Sequence, residues 1–267
     1  ALPPIDESTF ARAHASPSVR KFARELGVDL GRVKGSGQKG RVLLDDVKQF
    51  VKSVMSGAVS TGPALPAVPV VDFAKFGPVE ISPLSRVRKI SGPRLQAAWL
   101  NIPHVTQRGD ADITGIEERR KTLKDKAAAA GVKLTPLAFF VRAAVLALKE
   151  FPDFNSSLTA DGTGLVHKKY WHIGFAADTP QGLMVPVIRD ADQKDLFGIA
   201  RDLGTLSEKA RNGKLTAAEM QGGSFTISSL GGIGGKYFTP IVNAPEVAIL
   251  GVGRSAMQPV WLKDKFV

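Results

Sequence analysis

The sequence predicts an α/β protein in which a small helical domain precedes a larger domain of mixed helices and strands. Two amphipathic helix patterns fall within residues 15–52, and apolar strand-like runs alternate with helices across residues 72–267. Residues 53–71 carry no charge and are rich in Ala and Pro, which is typical of a flexible linker. We therefore expect two unequal domains, with residues 1–14 as a further linker.

The first helix of the small domain is marked at both ends. Ser16 supplies a hydroxyl N-cap before Pro17 at the first helical position, and Gly27 is a C-terminal stop. One apolar stripe at positions i, i+3, i+4 and i+7 is formed by Val19, Phe22, Ala23 and Leu26. A second short helix is predicted from about Asp45, with a buried face of Leu44, Val47, Phe50 and Val51.

The chain is strongly basic, with a formal net charge of +11. Such an excess favours an acidic partner, which could be a protein, a nucleic acid or a phosphorylated small molecule. The small domain is itself basic, and no aromatic side chains outside its predicted buried faces are available to stack on bases. This composition favours an acidic protein surface, and nucleic-acid binding remains the alternative.

Several classes of protein are disfavoured by composition. The chain has no cysteine, which excludes disulfides, thiolate metal sites and a cysteine nucleophile, and we expect no metal site. The most apolar stretch, residues 137–148, is interrupted by Arg142 and is too short to span a bilayer. Ala1-Leu2-Pro3-Pro4 does not resemble a signal peptide, so a soluble protein is predicted.

The small domain resembles a known module. The run Ser-Pro-Ser-Val-Arg-Lys-Phe-Ala-Arg-Glu-Leu-Gly-Val-Asp at residues 16–29, with residues 33–37 and 40–42, resembles the peripheral subunit-binding domain of 2-oxo-acid dehydrogenase acyltransferases. In that family the module binds dihydrolipoyl dehydrogenase or the decarboxylase component, chiefly through arginines. The resemblance implies partner contacts at Ser18, Arg20, Lys21, Arg24 and Arg41.

Two short motifs match known binding or modification sites in sequence but lack the structural context that those sites require. Residues 35–40 satisfy the dinucleotide-binding pattern G-x-G-x-x-G, but no apolar strand leads into them and no long helix follows. Asp125-Lys126-Ala127 resembles the surroundings of a lipoylated lysine but lies in a charged, helical run. We expect neither site, and we expect the family's lipoyl group on a separate domain outside these 267 residues.

The large domain shows strong element signals. A helix is predicted from Thr135-Pro136 to Glu150, apolar on almost every side and therefore expected to be deeply buried. A second helix is predicted at residues 195–211, closed by Gly213. Strands are predicted at residues 171–177, 183–188, 224–228 and 247–252.

Five segments of the large domain resemble the acyltransferase domain of the same family. They are Asn-Ile-Pro-His-Val-Thr at 101–106 and the runs at 154–158, 173–183, 225–231 and 243–251. The resemblance implies a chloramphenicol-acetyltransferase fold and homotrimers that assemble into a larger core. It also implies a channel that coenzyme A and the lipoyl group enter from opposite ends.

Acyl transfer between thiols requires a base to deprotonate the thiol and a hydrogen-bond donor for the oxyanion. Residue-by-residue matching implies that Ser228 is that donor, although a serine in this setting is also compatible with a packing or turn role. The same matching implies a coenzyme A route lined by Arg120, Thr135, Asp178, Ser228 and Ser229. For Arg120, an ordinary surface charge beside Glu117 and Glu118 is an equal alternative.

The expected base is the histidine of a C-terminal Asp-His-Arg segment. The chain contains only His14, His104, His167 and His172, and none lies in that context. We therefore expect the 267 residues alone to be inactive, although they resemble the pyruvate-type, acetyl-transferring enzymes. A non-catalytic partner-binding scaffold is the alternative. The expected location is the bacterial cytoplasm, or the mitochondrial matrix for a eukaryotic protein.

Overall fold

A computed structural model describes residues 5–55, 69–232, 234–262 and 265–266. The chain divides into two compact units, Ala1–Glu80 and Ile81–Val267. Within the described ranges, no helix combines the length and the apolar character needed to cross a membrane.

The first unit is built from short helices. They are α1 (Glu7–Arg12), α2 (Pro17–Glu25) and α3 (Leu44–Met55), with 3-10 turns at Leu30–Arg32, Gln38–Gly40 and Phe73–Lys75. Helix α2 begins as predicted, because the Ser16 hydroxyl accepts a hydrogen bond from the Val19 amide at 3.4 Å. Gly27 follows the helix with a φ of 66°, a conformation that favours glycine.

Helix α1 lies inside the segment 1–14 that the sequence predicts as a linker. The core of this unit consists of Phe10, Val19, Ala23, Val28, Leu30, Val33, Val42 and Val47. Phe10 is only 1% exposed, so α1 is part of the packed unit. Leu26 and Leu44, both expected in the core, are instead exposed, because each lies at an end of its helix.

The linker predicted at 53–71 lies mostly outside the described residues. Helix α3 continues to Met55, three residues beyond the predicted boundary at residue 52, and residues 56–68 are not described. The G-x-G-x-x-G segment forms the turn Gln38–Gly40, and no α-helix begins at its last glycine.

The second unit contains five helices and ten strands among its described residues. The helices are α4 (Arg86–Asn101), α5 (Thr114–Thr122), α6 (Lys124–Ala129), α7 (Pro136–Glu150) and α8 (Leu196–Arg211). The strands are β1 (Ser156–Leu158), β2 (Leu165–His167), β3 (Ile173–Phe175), β4 (Ala177–Thr179), β5 (Gly182–Met184), β6 (Val187–Ile188), β7 (Phe225–Ser229), β8 (Ile249–Val252), β9 (Trp261–Leu262) and β10 (Lys265–Phe266). This mixture confirms the α/β class.

A four-stranded sheet organises the second unit, in the order β6-β3-β7-β8. Strands β3, β7 and β8 run parallel, and β6 is antiparallel to β3. Three hairpins, β1–β2, β4–β5 and β9–β10, surround it. The predicted strands 171–177 and 183–188 are each divided in two. In the second of these, Pro186 has no N–H for the ladder and separates β5 from β6.

Helices α7 and α8 form the core with this sheet, and both were predicted. Ala138, Val141, Val145 and Leu148 of α7 are buried against it. The expectation that α7 is deeply buried holds for one side of the helix only, because five of its residues are buried but Leu146 is 57% exposed. Asp195 caps α8 by accepting a hydrogen bond from the Gly198 amide at 2.7 Å.

Candidate functional site

Strand β7 separates the core of the second unit from the candidate site. Side chains alternate along a strand, so Phe225 and Ile227 point to one face and Thr226 and Ser228 to the other. Phe225 and Ile227 are buried in the core cluster that includes α7 and α8. Thr226 and Ser228 therefore point to the opposite face, where Thr226 is 1% exposed and Ser228 is half-buried.

Ser228 and Ser229 end β7 at the carboxyl edge of the sheet. Ser228 pairs with Gly251 of β8 and is half-buried, and among the described residues its hydroxyl has no hydrogen-bond partner. A Cβ on Gly251 would lie 3.2 Å from both Phe238 and Pro240, so this covering segment closes tightly on the sheet beside Ser228. Ser228 therefore lies beside a tightly packed segment, and its O–H is available to donate a hydrogen bond.

Asp178 lies at the same edge of the sheet. Phe175 of β3 pairs with Ile227 of β7, and the Ala176 amide donates a hydrogen bond to the Ile227 carbonyl at 2.9 Å. Asp178 follows Phe175 by three residues, and Ser228 follows Ile227 directly. Because β3 and β7 are parallel, Ser228 and the β4 strand that carries Asp178 both lie toward the carboxyl end of the sheet. Asp178 is exposed there.

A buried carboxylate supports β7 on the Ser228 face. Glu246 is 4% exposed, and its Oε1 accepts hydrogen bonds from the Thr226 hydroxyl at 2.9 Å and from Asn243 Nδ2 at 3.0 Å. Its Oε2 has no partner among the described residues. Burial raises the pKa of Glu246 to about 6, and the two hydrogen bonds and Lys168 oppose that rise.

Lys168 brings a second charge into this region. Its Nζ donates to the Ser156 carbonyl at 3.0 Å, and burial lowers its pKa while the nearby Glu246 raises it. The Ser157 hydroxyl donates to the Pro245 carbonyl at 2.6 Å. These hydrogen bonds connect β1 to Lys168 and to the loop before β8, which carries Glu246.

Arg120 and Thr135 lie on neighbouring helices. Arg120 on α5 donates hydrogen bonds to the Glu117 carboxylate from Nε at 3.0 Å and from Nη2 at 2.7 Å. This pairing raises the pKa of Arg120 and lowers the pKa of Glu117. Thr135 is the N-cap residue of α7, yet its hydroxyl accepts no capping hydrogen bond. Within the described ranges, no hydrogen bond joins either residue to Ser228 or Asp178.

Each of the four histidines has other partners than Ser228. His104 is fixed at both ring nitrogens, with Nδ1 2.7 Å from the Ile102 carbonyl and Nε2 accepting from the Val242 amide at 3.0 Å. His172 Nδ1 accepts from the Asp190 amide, His167 lies near Asp153, and His14 contacts Arg41 in the first unit. No set of three or more metal-binding side chains occurs in the portion of the chain that is described.

The candidate partner-binding residues of the first unit differ in availability. Arg20 donates to the carbonyls of Phe10 at 2.7 Å and Ala13 at 2.6 Å. Arg24 pairs with Glu7 through both terminal guanidinium nitrogens. Of the remaining candidates, Lys21 is exposed, Ser18 shares a hydrogen bond with Ser16, and Arg41 contacts His14.

Sequence reasoning missed the buried carboxylate and the role of Glu7. No local pattern marks Glu246 as buried, because Asn243 lies three residues away but Thr226 and Lys168 come from distant parts of the chain. For Glu7 the sequence held a weak signal of a helix start. Asp6 is a good N-cap residue, and in the structure it accepts a hydrogen bond from the Ser8 amide at the start of α1.

Comparison with known families identifies both units. The profile of the 2-oxoacid dehydrogenases acyltransferase (catalytic domain) matches residues 77–267, and that of the E3 binding domain matches residues 13–48. The chain therefore belongs to the 2-oxoacid dehydrogenase acyltransferases and carries the subunit-binding module predicted from its sequence.

Relatives within this family are similar over nearly the whole chain. The chain is 54% identical to the dihydrolipoyllysine-residue acetyltransferase component of the pyruvate dehydrogenase complex of Cupriavidus necator, and 55% identical to that of Pseudomonas aeruginosa. These alignments cover 95% and 94% of the chain but only 48% and 47% of the relatives. The chain thus spans about half the length of these curated relatives.

Solved structures confirm the fold of the second unit. The dihydrolipoamide acetyltransferase of Azotobacter vinelandii, in a study of a serine, a histidine and an asparagine in its catalytic mechanism, is 56% identical. It matches with a TM-score of 0.75 over 76% of this chain and 84% of that one. The cubic core of a pyruvate dehydrogenase multienzyme complex matches with the same TM-score, identity and coverage.

Proposed function

We propose that the chain is part of the acetyltransferase component of a pyruvate dehydrogenase complex, which moves an acetyl group between dihydrolipoamide and coenzyme A. The placement of Ser228 carries this proposal. Ser228 lies at the end of a core strand, half-buried, and its hydroxyl has no hydrogen-bond partner among the described residues. High identity to acetyltransferases of this complex supports the choice of acyl group.

The reaction exchanges one thiol ester for another. The attacking thiol loses its proton to a base, and its sulfur bonds to the acetyl carbon. The carbonyl oxygen then carries negative charge, which the Ser228 O–H stabilises by donating a hydrogen bond. When the carbonyl re-forms, the other thiolate leaves and takes up the proton. The Azotobacter enzyme was studied for a serine in its mechanism, and Ser228 is our candidate for that role.

The base is the group that these residues do not supply. None of the four histidines forms a hydrogen bond with Ser228, and the partners of His104 occupy both of its ring nitrogens. We therefore expect that the 267 residues alone do not turn over dihydrolipoamide and acetyl-coenzyme A. The lipoyl group is expected on a separate lipoyl domain, and the active sites are expected at the interfaces of a homotrimer.

The coenzyme A route is proposed along Arg120, Thr135, Asp178 and Ser229. The free hydroxyl of Thr135 and the exposed carboxylate of Asp178 can accept hydrogen bonds from uncharged parts of the ligand. Arg120 can bind a phosphate only in competition with Glu117, because that carboxylate already occupies its guanidinium.

The small domain is proposed to tether a partner enzyme. Its match to the E3 binding domain supports dihydrolipoyl dehydrogenase as that partner, with the decarboxylase component as the alternative. The exposed basic side chains of Lys21 and Arg41 fit an acidic protein surface. Titration of the chain with dihydrolipoyl dehydrogenase and with duplex DNA tests this assignment, and a preference for DNA at physiological salt would contradict it.

Replacement of Ser228 tests the proposed chemistry. In the protein encoded by the complete gene, we expect Ser228→Ala to lower kcat by roughly 10²–10³-fold with little change in KM, as for other oxyanion donors. Thr205→Ala, on the exposed side of α8, is the matched control and should retain full activity. Unchanged kcat in Ser228→Ala would refute the role of Ser228. A native protein without turnover would favour the scaffold alternative.

A further inference from the structure

Helix α1 covers part of the basic surface of the small domain. Its Phe10 is 1% exposed and packs in the core, and the guanidinium groups of Arg24 and Arg20 lie over its ring at 4.7 and 5.9 Å. Both arginines are candidates for partner binding, and both are already engaged within the chain. The two engagements differ in kind.

Arg20 holds α1 in place. Its Nη1 donates to the Phe10 carbonyl at 2.7 Å, and its Nη2 donates to the carbonyls of Ala13 at 2.6 Å and Ala11 at 3.3 Å. These carbonyls lie at the C-terminal end of α1, where the helix supplies no amide partners. Arg20 could reach a partner only by leaving all three uncapped, so its role is to anchor the helix.

Arg24 makes an exchangeable contact instead. Its two terminal nitrogens lie 3.0 and 2.9 Å from the two carboxylate oxygens of Glu7. The side chains are 55% and 64% exposed, so water and other carboxylates can reach the pair. The fork of two parallel hydrogen bonds is the geometry in which an arginine would receive a carboxylate of an acidic partner.

We propose that Glu7 is a built-in competitor that occupies Arg24 until a carboxylate of the acidic partner enzyme displaces it. The inference rests on the proposed partner binding by the small domain. Displacement does not require α1 to unfold, because Phe10 and Arg20 keep the helix docked while the Glu7 side chain swings out. The contact thus lowers the affinity for the partner without blocking it.

The expected effect is small and has a definite direction. Exposed ion pairs are weak, so removing the Glu7 carboxylate should tighten partner binding by about two- to fivefold. Added salt screens both the internal pair and the partner's pair, so the gain should shrink as ionic strength rises. Glu7→Gln removes the charge while keeping the size of the side chain.

The experiment measures Kd by calorimetry for the full chain and dihydrolipoyl dehydrogenase at low and at physiological salt. Glu7→Gln is compared with Glu25→Gln, which removes an exposed carboxylate at the end of α2. Two- to fivefold tighter binding in Glu7→Gln alone supports competition. Hydrogen exchange at the Phe10 and Ala13 amides, which bond to the carbonyls of Asp6 and Thr9, checks that α1 remains folded.

The outcomes separate the two proposals. If the native chain binds and Glu7→Gln binds no more tightly, the competition is overturned and partner binding stands. If neither chain binds, both are overturned. If α1 unfolds in Glu7→Gln, then Glu7→Asp replaces it, because it keeps the charge at the helix start but shortens the reach to Arg24. It should also tighten binding, and unchanged or weaker binding would again overturn the competition.

Discussion

We expect Glu246 to make the stability of the second unit depend on pH. The carboxylate is buried, and its pKa is raised from its usual 4.5 to about 6. At about 1.4 kcal/mol per pH unit, this rise corresponds to roughly 2 kcal/mol lost when the carboxyl ionises in the folded protein. The stability that the neutral carboxyl contributes is full below pH 4.5 and is lost as the pH rises through about 6.

Glu246→Gln should remove this dependence. The glutamine Oε1 can still accept hydrogen bonds from Thr226 and Asn243, and no group is left to ionise. The free energy of unfolding of Glu246→Gln minus that of the native chain should therefore be larger at pH 8 than at pH 4.5, by about 2 kcal/mol. Other titrating groups cancel in this difference because both chains contain them.

Urea unfolding followed by tryptophan fluorescence measures this difference. Trp99, Trp171 and Trp261 all lie in the second unit, so the signal reports on that unit. Glu208→Gln, an exposed position on α8, is the control and should show no such change between the two pH values. A difference between Glu246→Gln and the native chain that stays constant from pH 4.5 to 8 would refute the reasoning.

Three further substitutions test individual contacts. His104→Ala leaves the Val242 amide without its acceptor and should cost about 1–3 kcal/mol in the same urea assay, whereas exposed His167→Ala should cost less than about 0.5 kcal/mol. Phe10→Ala should cost about 3–5 kcal/mol and abolish hydrogen-exchange protection in α2; retained protection would mean that α1 is dispensable. Gly204→Ala, inside α8 with open space around it, should stabilise the second unit by about 1 kcal/mol, and a lower melting temperature would contradict this.

Elements with a strong local signal were predictable from the sequence. Helices α2, α7 and α8 have clear start or stop residues and apolar stripes, and the structure has them within one or two residues of the expected bounds. Helix α4 was not predicted. Its interior contains Gly92 and Pro93, which normally break a helix, and Ala98 is its only buried residue. Its pattern therefore gave no periodic signal.

Some features of the candidate site were also predictable from the sequence, and others were not. The position of Ser228 at the end of an apolar strand could be read from the sequence, because that strand is continuous along the chain. The Glu246 carboxylate and its contacts could not, because burial of a charge depends on groups that only the fold brings together. Arg20 was expected to face a partner, and only the carbonyls at the end of α1 reveal its anchoring role.

The alternation of side chains along β7 has a consequence for engineering. Changes at Phe225 and Ile227 alter the packing against α7 and α8, and changes at Thr226 remove its hydrogen bond to the buried Glu246, whereas Ser228 is only half-buried at the end of the strand. A library that randomises only Ser228 would leave these buried contacts in place. Ile227 and Ser228, adjacent residues of one short strand, can therefore evolve under separate selection, Ile227 for folding and Ser228 for the proposed chemistry.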